Sequence, residues 1–129
     1  MSDVSPALES FLSEPLVAVI GTHRHDGRIA LTPVWFEYRD ERLWLNSFES
    51  AQWPRRVQRT GRATVLVIDP ADTLRTAHIE CELEAVRRAG AREHIDALAQ
   101  RYLGDPYQGP HQARLILVLA PTQISSAVG

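Results

Sequence analysis

Apolar positions recur along the chain in short runs, Leu16 to Ile20, Ile29 to Phe36, Leu43 to Leu45, Thr64 to Ile68 and Leu115 to Ala120, most of them bounded by Gly, Pro, Asp or Asn. Runs this short between turn residues predict β-strands. Asp26-Gly27 separates the first two runs and Asp40-Glu41 the second and third, so the three are expected to form an antiparallel meander of hairpins. From Ala77 to Ala85 the pattern alternates strictly. Ala77, Ile79, Cys81, Leu83 and Ala85 fall on one face and His78, Glu80, Glu82 and Glu84 on the other, which predicts a half-buried strand. Thr64 to Ile68 and Leu115 to Leu119 lack a polar face, so they are expected to be covered on both sides, by a barrel interior and by a helix or a second subunit.

Three segments carry helical signals: Pro6 to Leu12 behind Ser5 as cap, Ser50 to Arg59, and Ala89 to Leu103, where Ile95, Leu98, Ala99 and Tyr102 recur at helical spacing before Gly104-Asp-Pro106. Pro121 to Gly129 reads as a strand end followed by a loose tail. No internal repeat is evident, and residues 1–129 are expected to form a single domain.

Composition narrows the chemistry. The chain carries 14 basic and 16 acidic residues, net −2, which provides no field for nucleic acid or an anionic membrane. Every one of those basic residues is arginine. Without lysine the chain can build neither a Schiff-base site nor a Walker A phosphate loop. A single cysteine, Cys81, excludes an intrachain disulfide and multi-cysteine zinc, and its strand position favours a small core residue over a nucleophile. The N-terminal segment lacks the basic start and apolar core of a signal peptide, and apolar stretches span only about five to seven residues; a soluble, cytoplasmic protein is expected.

Candidate sites are few. His23 and His25 project to one side of a strand end but imply no third ligand beyond Asp26, so no metal is expected. Glu80, Glu82 and Glu84 read as a solvated strand face. No Gly-x-Ser-x-Gly elbow supports hydrolase chemistry. The densest positive charge is Arg55, Arg56, Arg59 and Arg62; on a helix Arg55, Arg59 and Arg62 share a face able to clamp phosphate. In Thr32-Pro33-Val34-Trp35 a proline interrupts a strand, marking an edge, a bulge or a ligand's approach, with Trp35, Phe36, Tyr38 and Trp44 nearby in sequence.

The order of these pieces resembles a known family. Leu16-Val-Ala-Val-Ile-Gly-Thr22, Asp26-Gly27-Arg28, Leu31-Thr-Pro-Val-Trp-Phe36, Leu43-Trp-Leu-Asn-Ser47, Arg62-Ala-Thr-Val-Leu-Val67 with Asp69-Pro70, and His94-Ile-Asp-Ala-Leu with Arg101-Tyr-Leu-Gly-Asp-Pro-Tyr107 are similar to segments of the pyridoxamine 5'-phosphate oxidase-like split-barrel proteins. Within them the chain most resembles the flavin/deazaflavin oxidoreductases that use coenzyme F-420. The resemblance implies a mainly β fold with a few helices, a six-stranded antiparallel split β-barrel that pairs as a homodimer with cofactor clefts at the subunit interface. It implies that the tricyclic ring of F-420 or FMN lies along Thr32, Pro33, Val34 and Trp35, and that the ribityl phosphate meets Asn46, Ser47, Gln52, Trp53, Arg55 and Arg56. Members of the family commonly carry Arg-x-Lys where this chain has Ala51 and Trp53, which leaves Arg55 and Arg56 as substitute cations.

Two functions follow from this reading. The first is an oxidoreductase that transfers hydride between a deazaflavin or FMN and a small unsaturated or carbonyl-conjugated substrate. Its rate would come from alignment and exclusion of water. The alternative is a non-catalytic binding protein for another flat ligand, haem or a hydrophobic metabolite, in which Trp53 fills the phosphate pocket.

Overall fold

A computed structural model describes residues 4–128. Helix α1 spans Pro6–Leu12; the Ser5 hydroxyl accepts from the Leu8 N–H at 3.1 Å and Pro6 opens the helix, as the sequence predicts. Strands β1 (Val17–His23) and β2 (Ile29–Val34) form the first hairpin. At its tip Gly27 adopts φ 85° and the Asp26 carboxylate accepts from the Arg28 N–H at 3.0 Å. β3 (Glu37–Arg39) and β4 (Arg42–Phe48) form the second, turning on Asp40 and Glu41, both at positive φ. Then follow α2 (Gln52–Thr60), β5 (Arg62–Asp69), β6 (Asp72–Arg87), α3 (Ala91–Leu103) and β7 (Arg114–Ala127).

The seven strands form one antiparallel sheet in the order β2-β1-β5-β6-β7-β4-β3. Six were expected. The difference lies at Trp35-Phe36, where the run Ile29 to Phe36 breaks: the chain before it pairs with β1 and the chain after it with β4. Runs one to three therefore make two hairpins at opposite edges of the sheet, not one meander. The sheet is not closed by hydrogen bonds between those edges. Pro33 lies in edge strand β2, where its missing N–H costs no ladder bond.

The predicted loose tail is strand. β6 runs well beyond the alternating segment, and β7 continues past Pro121 so that residues 121–127 pair with residues 76–81. Pro121 faces Cys81 where the register shifts, a bulge that accommodates a residue unable to donate. The polar residues of this stretch occupy the open face of a two-stranded extension.

One core fills the concave side of the sheet. Ala18, Ile20, Val65, Val67, Ile79, Leu45 and Leu117 project into it from alternate positions, joined by Phe11 of α1 and by Trp53 and Val57 of α2. A smaller cluster lies on the other side, where α3 sets Ala91 against Trp44, Ile116 and Val118. β7 is thus covered on both faces, as its apolar run predicts. β5 is not: Val65 and Val67 are buried, whereas Thr64, Leu66 and Ile68 are only partly covered within one chain. Two helix boundaries also move inward. α2 starts at Gln52 because Ala51 is extended at φ −68° and ψ 154°, and α3 starts at Ala91 after Gly90. Arg62 lies outside α2, as the first residue of β5, so the expected face of Arg55, Arg59 and Arg62 is not a helix face.

No described helix is long and apolar enough to cross a membrane. Cys81 is buried, and burial pushes its thiol up to about 12, so it is a protonated core residue.

Candidate functional site

The break between β2 and β3 is held open by a tyrosine. Tyr102, in the last turn of α3, accepts from the Phe36 N–H at 3.2 Å and donates to the Leu16 carbonyl at 2.9 Å, so one hydroxyl satisfies backbone groups that lost their ladder partners. Burial raises the Tyr102 pKa, which keeps that hydroxyl able to donate. Phe36 turns fully into the core, and Trp35 turns the other way and stacks on Tyr102 with ring centroids 5.2 Å apart and planes at 11°. Tyr107 meets Trp35 edge-on at 6.4 Å.

Beside this aromatic wall lies a cleft of about 470 Å³. Its apolar sides come from Pro33, Val34 and Trp35 at the end of β2, Trp53 of α2 and Leu98 of α3. Its polar end is formed by Asn46 of β4, Tyr107 and Arg114. Arg114 is 8% exposed. Its guanidinium donates to the Pro110 carbonyl at 3.2 Å, to Asn46 Oδ1 at 3.2 Å and to the Tyr107 hydroxyl at 2.9 Å, and lies 4.0 Å from the Phe48 ring centre.

Asn46 links this cation to a buried histidine. Because guanidinium only donates, Asn46 presents its oxygen to Arg114 and its amide to the other side, where Nδ2 donates to the Ala91 carbonyl at 2.9 Å and meets His94 Nδ1 at 3.1 Å. His94 Nδ1 is therefore the acceptor, and the neutral ring carries its proton on Nε2, 3.3 Å from Glu37 Oε1. That contact holds the Glu37 carboxyl below the usual carboxylate range, against a smaller opposing effect of burial. A continuous polar line thus runs from Glu37 on β3 through His94 and Asn46 to Arg114 at the cleft.

The sequence-predicted site residues divide. Pro33, Val34, Trp35, Asn46 and Trp53 line the cleft. Thr32, half-buried on β2, and Ser47, buried on β4, do not. Gln52, Arg55 and Arg56 line a second, exposed concavity of about 540 Å³ together with Arg24, His25 and Arg59. The Arg59 guanidinium donates to the His23 carbonyl and so ties α2 to the end of β1. Of the expected aromatic group only Trp35 lines the cleft, since Phe36 is core, Trp44 packs under α3 and Tyr38 lies against the main core. Trp53 is 7% exposed and packs into the core as the floor of the cleft.

Arg114, His94 and Tyr107 did not stand out as site residues. Arg114 carries one visible signal, a charge opening a wholly apolar strand run. His94 shares a helix face with Ala91 and Leu98, where a polar residue needs a buried partner. Among the described residues no group of three His, Cys, Asp or Glu side chains is placed to hold a metal ion. The acidic strand residues are engaged at the surface, Glu84 with Arg42 at 2.6 Å and Glu80 with His78 at 3.2 Å.

Residues 4–127 match the family model for pyridoxamine 5'-phosphate oxidase. The chain belongs to that family. A solved structure named F420 reductase is 25% identical, superposes with a TM-score of 0.82, and is matched over 97% of this chain and 98% of its own. A conserved hypothetical protein from Mycobacterium tuberculosis is 21% identical, with a TM-score of 0.76 over 96% of this chain and 82% of its own. HupZ of Group A Streptococcus is 15% identical, with a TM-score of 0.70 over 97% and 94%. These last two share the family's fold, and that is all they carry. Comparison with curated proteins finds no match.

Proposed function

We propose that this family member is an oxidoreductase that binds a deazaflavin or FMN and reduces a small unsaturated or carbonyl-conjugated substrate. The observation that carries the reading is the cleft itself, a space of about 470 Å³ with flat apolar walls and a cationic end, set at the β2 break. It suits a planar ring with polar substituents. The name F420 reductase on a structural neighbour matched over nearly its full length supports the same class.

The described residues fit such a group. Trp35 and Val34 offer a flat surface, Leu98 and Trp53 close the cleft from the helices, and the pocket around Arg55 and Arg56 holds an excess of positive charge for a phosphate. When bound, the reduced ring supplies hydride. The chain's own residues bind the ring, orient it and exclude water, and no acid or base side chain is required for that work.

A second copy completes the cleft in this proposal. Val17, Ile29 and Leu31 are 45%, 51% and 72% exposed on β1 and β2, beside the partly covered face of β5. Covering that apolar patch favours a homodimer. Leu31→Glu is expected to convert a dimer to a monomer by sedimentation equilibrium; a wild-type protein that is already monomeric at micromolar concentration sinks the dimer.

The functional test is a fluorescence titration with coenzyme F-420 and with FMN. Saturable binding at micromolar concentration or tighter is expected for one of them. Replacing Arg55 and Arg56 together by alanine is expected to weaken it by about one to two powers of ten, the value of a charge-assisted phosphate contact. Binding of neither cofactor by the wild type moves the protein to the non-catalytic reading; binding unchanged in the double variant removes the two arginines from the phosphate site.

A further inference from the structure

Arg114 is a buried cation without a counter-charge. It is 8% exposed, and among the described residues it forms no ion pair, whereas Arg42, Arg75 and Arg88 all find carboxylates within 3.4 Å. Its acceptors are a carbonyl, an amide oxygen and a phenol, all neutral. A guanidinium has five N–H donors, and these bonds engage three, leaving one on each terminal nitrogen. Removing such a group from water without an anion is costly, and Arg114 lines the cleft.

Its surroundings fix it in place. Phe48 and Tyr107 sandwich the guanidinium, with its central carbon 4.0 and 4.7 Å from their ring centres. Asn46 is itself anchored to the Ala91 carbonyl and His94, and the Tyr107 N–H donates at 3.0 Å to Asp96, whose carboxylate also meets His111 Nε2 at 2.8 Å. The two nearby carboxylates, Glu37 and Asp96, are therefore each engaged by a histidine and face away from the cation. A preorganised cation with spare donors at the end of an apolar slot is an oxyanion receptor.

We propose that Arg114 makes the cleft selective for flat substrates that bear a carboxylate, bound by the guanidinium N–H donors that the protein leaves free. This names a substrate class for the cleft assigned above and rests on that cleft being the binding site. The same oxyanion chemistry has a second source, a cofactor phosphate, and the arms of the test separate the two.

The probes are 2-naphthoate and its neutral isostere 2-naphthamide, followed by quenching of tryptophan fluorescence, with FMN and riboflavin as a second pair. The wild type is expected to bind naphthoate at least about tenfold more tightly than naphthamide, equally at pH 6 and pH 9, because arginine keeps its charge across that range. A preference that fades as pH rises points to His94 or His111 as the cation and overturns the assignment. Equal binding of the pair, or binding of neither, also overturns it. Arg114→Gln is expected to abolish the preference. Asn46→Asp, which keeps Arg114 but hands it a carboxylate, is expected to do the same, so a folding defect in the first variant leaves the second to decide.

If Arg114→Gln instead erases a preference for FMN over riboflavin and leaves the naphthoate pair unchanged, the anion is the cofactor's phosphate and the substrate assignment falls. Naphthoate selectivity in a protein that binds neither FMN nor F-420 keeps the anion receptor and removes the oxidoreductase reading alone.

Discussion

Asn46→Leu is expected to lower stability by about 3–5 kcal/mol, and Tm by on the order of 10 °C or more. Leucine matches the volume but removes one acceptor and two donor bonds from a place without water. Arg114 Nη1, the Ala91 carbonyl and His94 Nδ1 each lose their partner together. Each buried group so stranded costs about 1–3 kcal/mol, and one of them belongs to a cation. Against a total of about 5–15 kcal/mol for a domain of ordinary stability this is a large fraction. Asn46→Asp is expected to cost less, since it still accepts from Arg114 and a protonated His94 donates to it. Urea denaturation at neutral pH checks both. A Leu variant whose midpoint stays at the wild-type value shows that these groups are solvated and that the line from Glu37 to Arg114 is not a buried network.

The adjacent residues Trp35 and Phe36 are expected to separate folding from binding. Phe36 is fully buried in the main core, and its truncation to alanine is expected to cost about 3–5 kcal/mol, the loss of a buried ring plus the cavity left behind. Trp35 is only partly covered and faces the cleft. Trp35→Ala is expected to cost about 1–2 kcal/mol of stability, from the lost stack on Tyr102, and to weaken a planar ligand by about tenfold or more. Thermal melts paired with ligand titrations read both effects. If Trp35→Ala destabilises as much as Phe36→Ala, Trp35 is a structural residue and the aromatic wall is not a binding surface.

Local signals explain what the sequence made legible. Asp26-Gly27 and Asp40-Glu41 turn where their backbone preferences indicate, and Ser5 caps α1 through its own hydroxyl. The alternation from Ala77 to Cys81 is reproduced as burial, and the unbroken run from Leu115 is buried on both faces. What stayed hidden depends on which strands meet. Thr122, Gln123, Ser125 and Ser126 read as a tail because their partner is a β6 extension whose own polar pattern resembles a loop. Arg55 and Arg56 cluster in sequence, yet they lie on the α2 face that opens away from the cleft lined by Trp53.

The same limit applied to the site. Asn46 was expected there, but its partners come from the middle of α3 and the start of β7, and only tertiary contact brings them together. A buried arginine and an exposed one are the same letter in a sequence. The interruption of an apolar run at Arg114 and the place of His94 on an apolar helix face were the available hints.

The strand order also constrains how the protein emerges during synthesis. β4 is made early, but its neighbour β7 is the last strand of this sheet to leave the ribosome. Until then Leu43 and Leu45 and one row of β4 backbone donors have no cover from their native partner. The second hairpin is therefore the segment a nascent-chain chaperone has to shield, and the cleft takes shape only after translation of the sheet is complete, because Arg114 stands at the first position of that final strand.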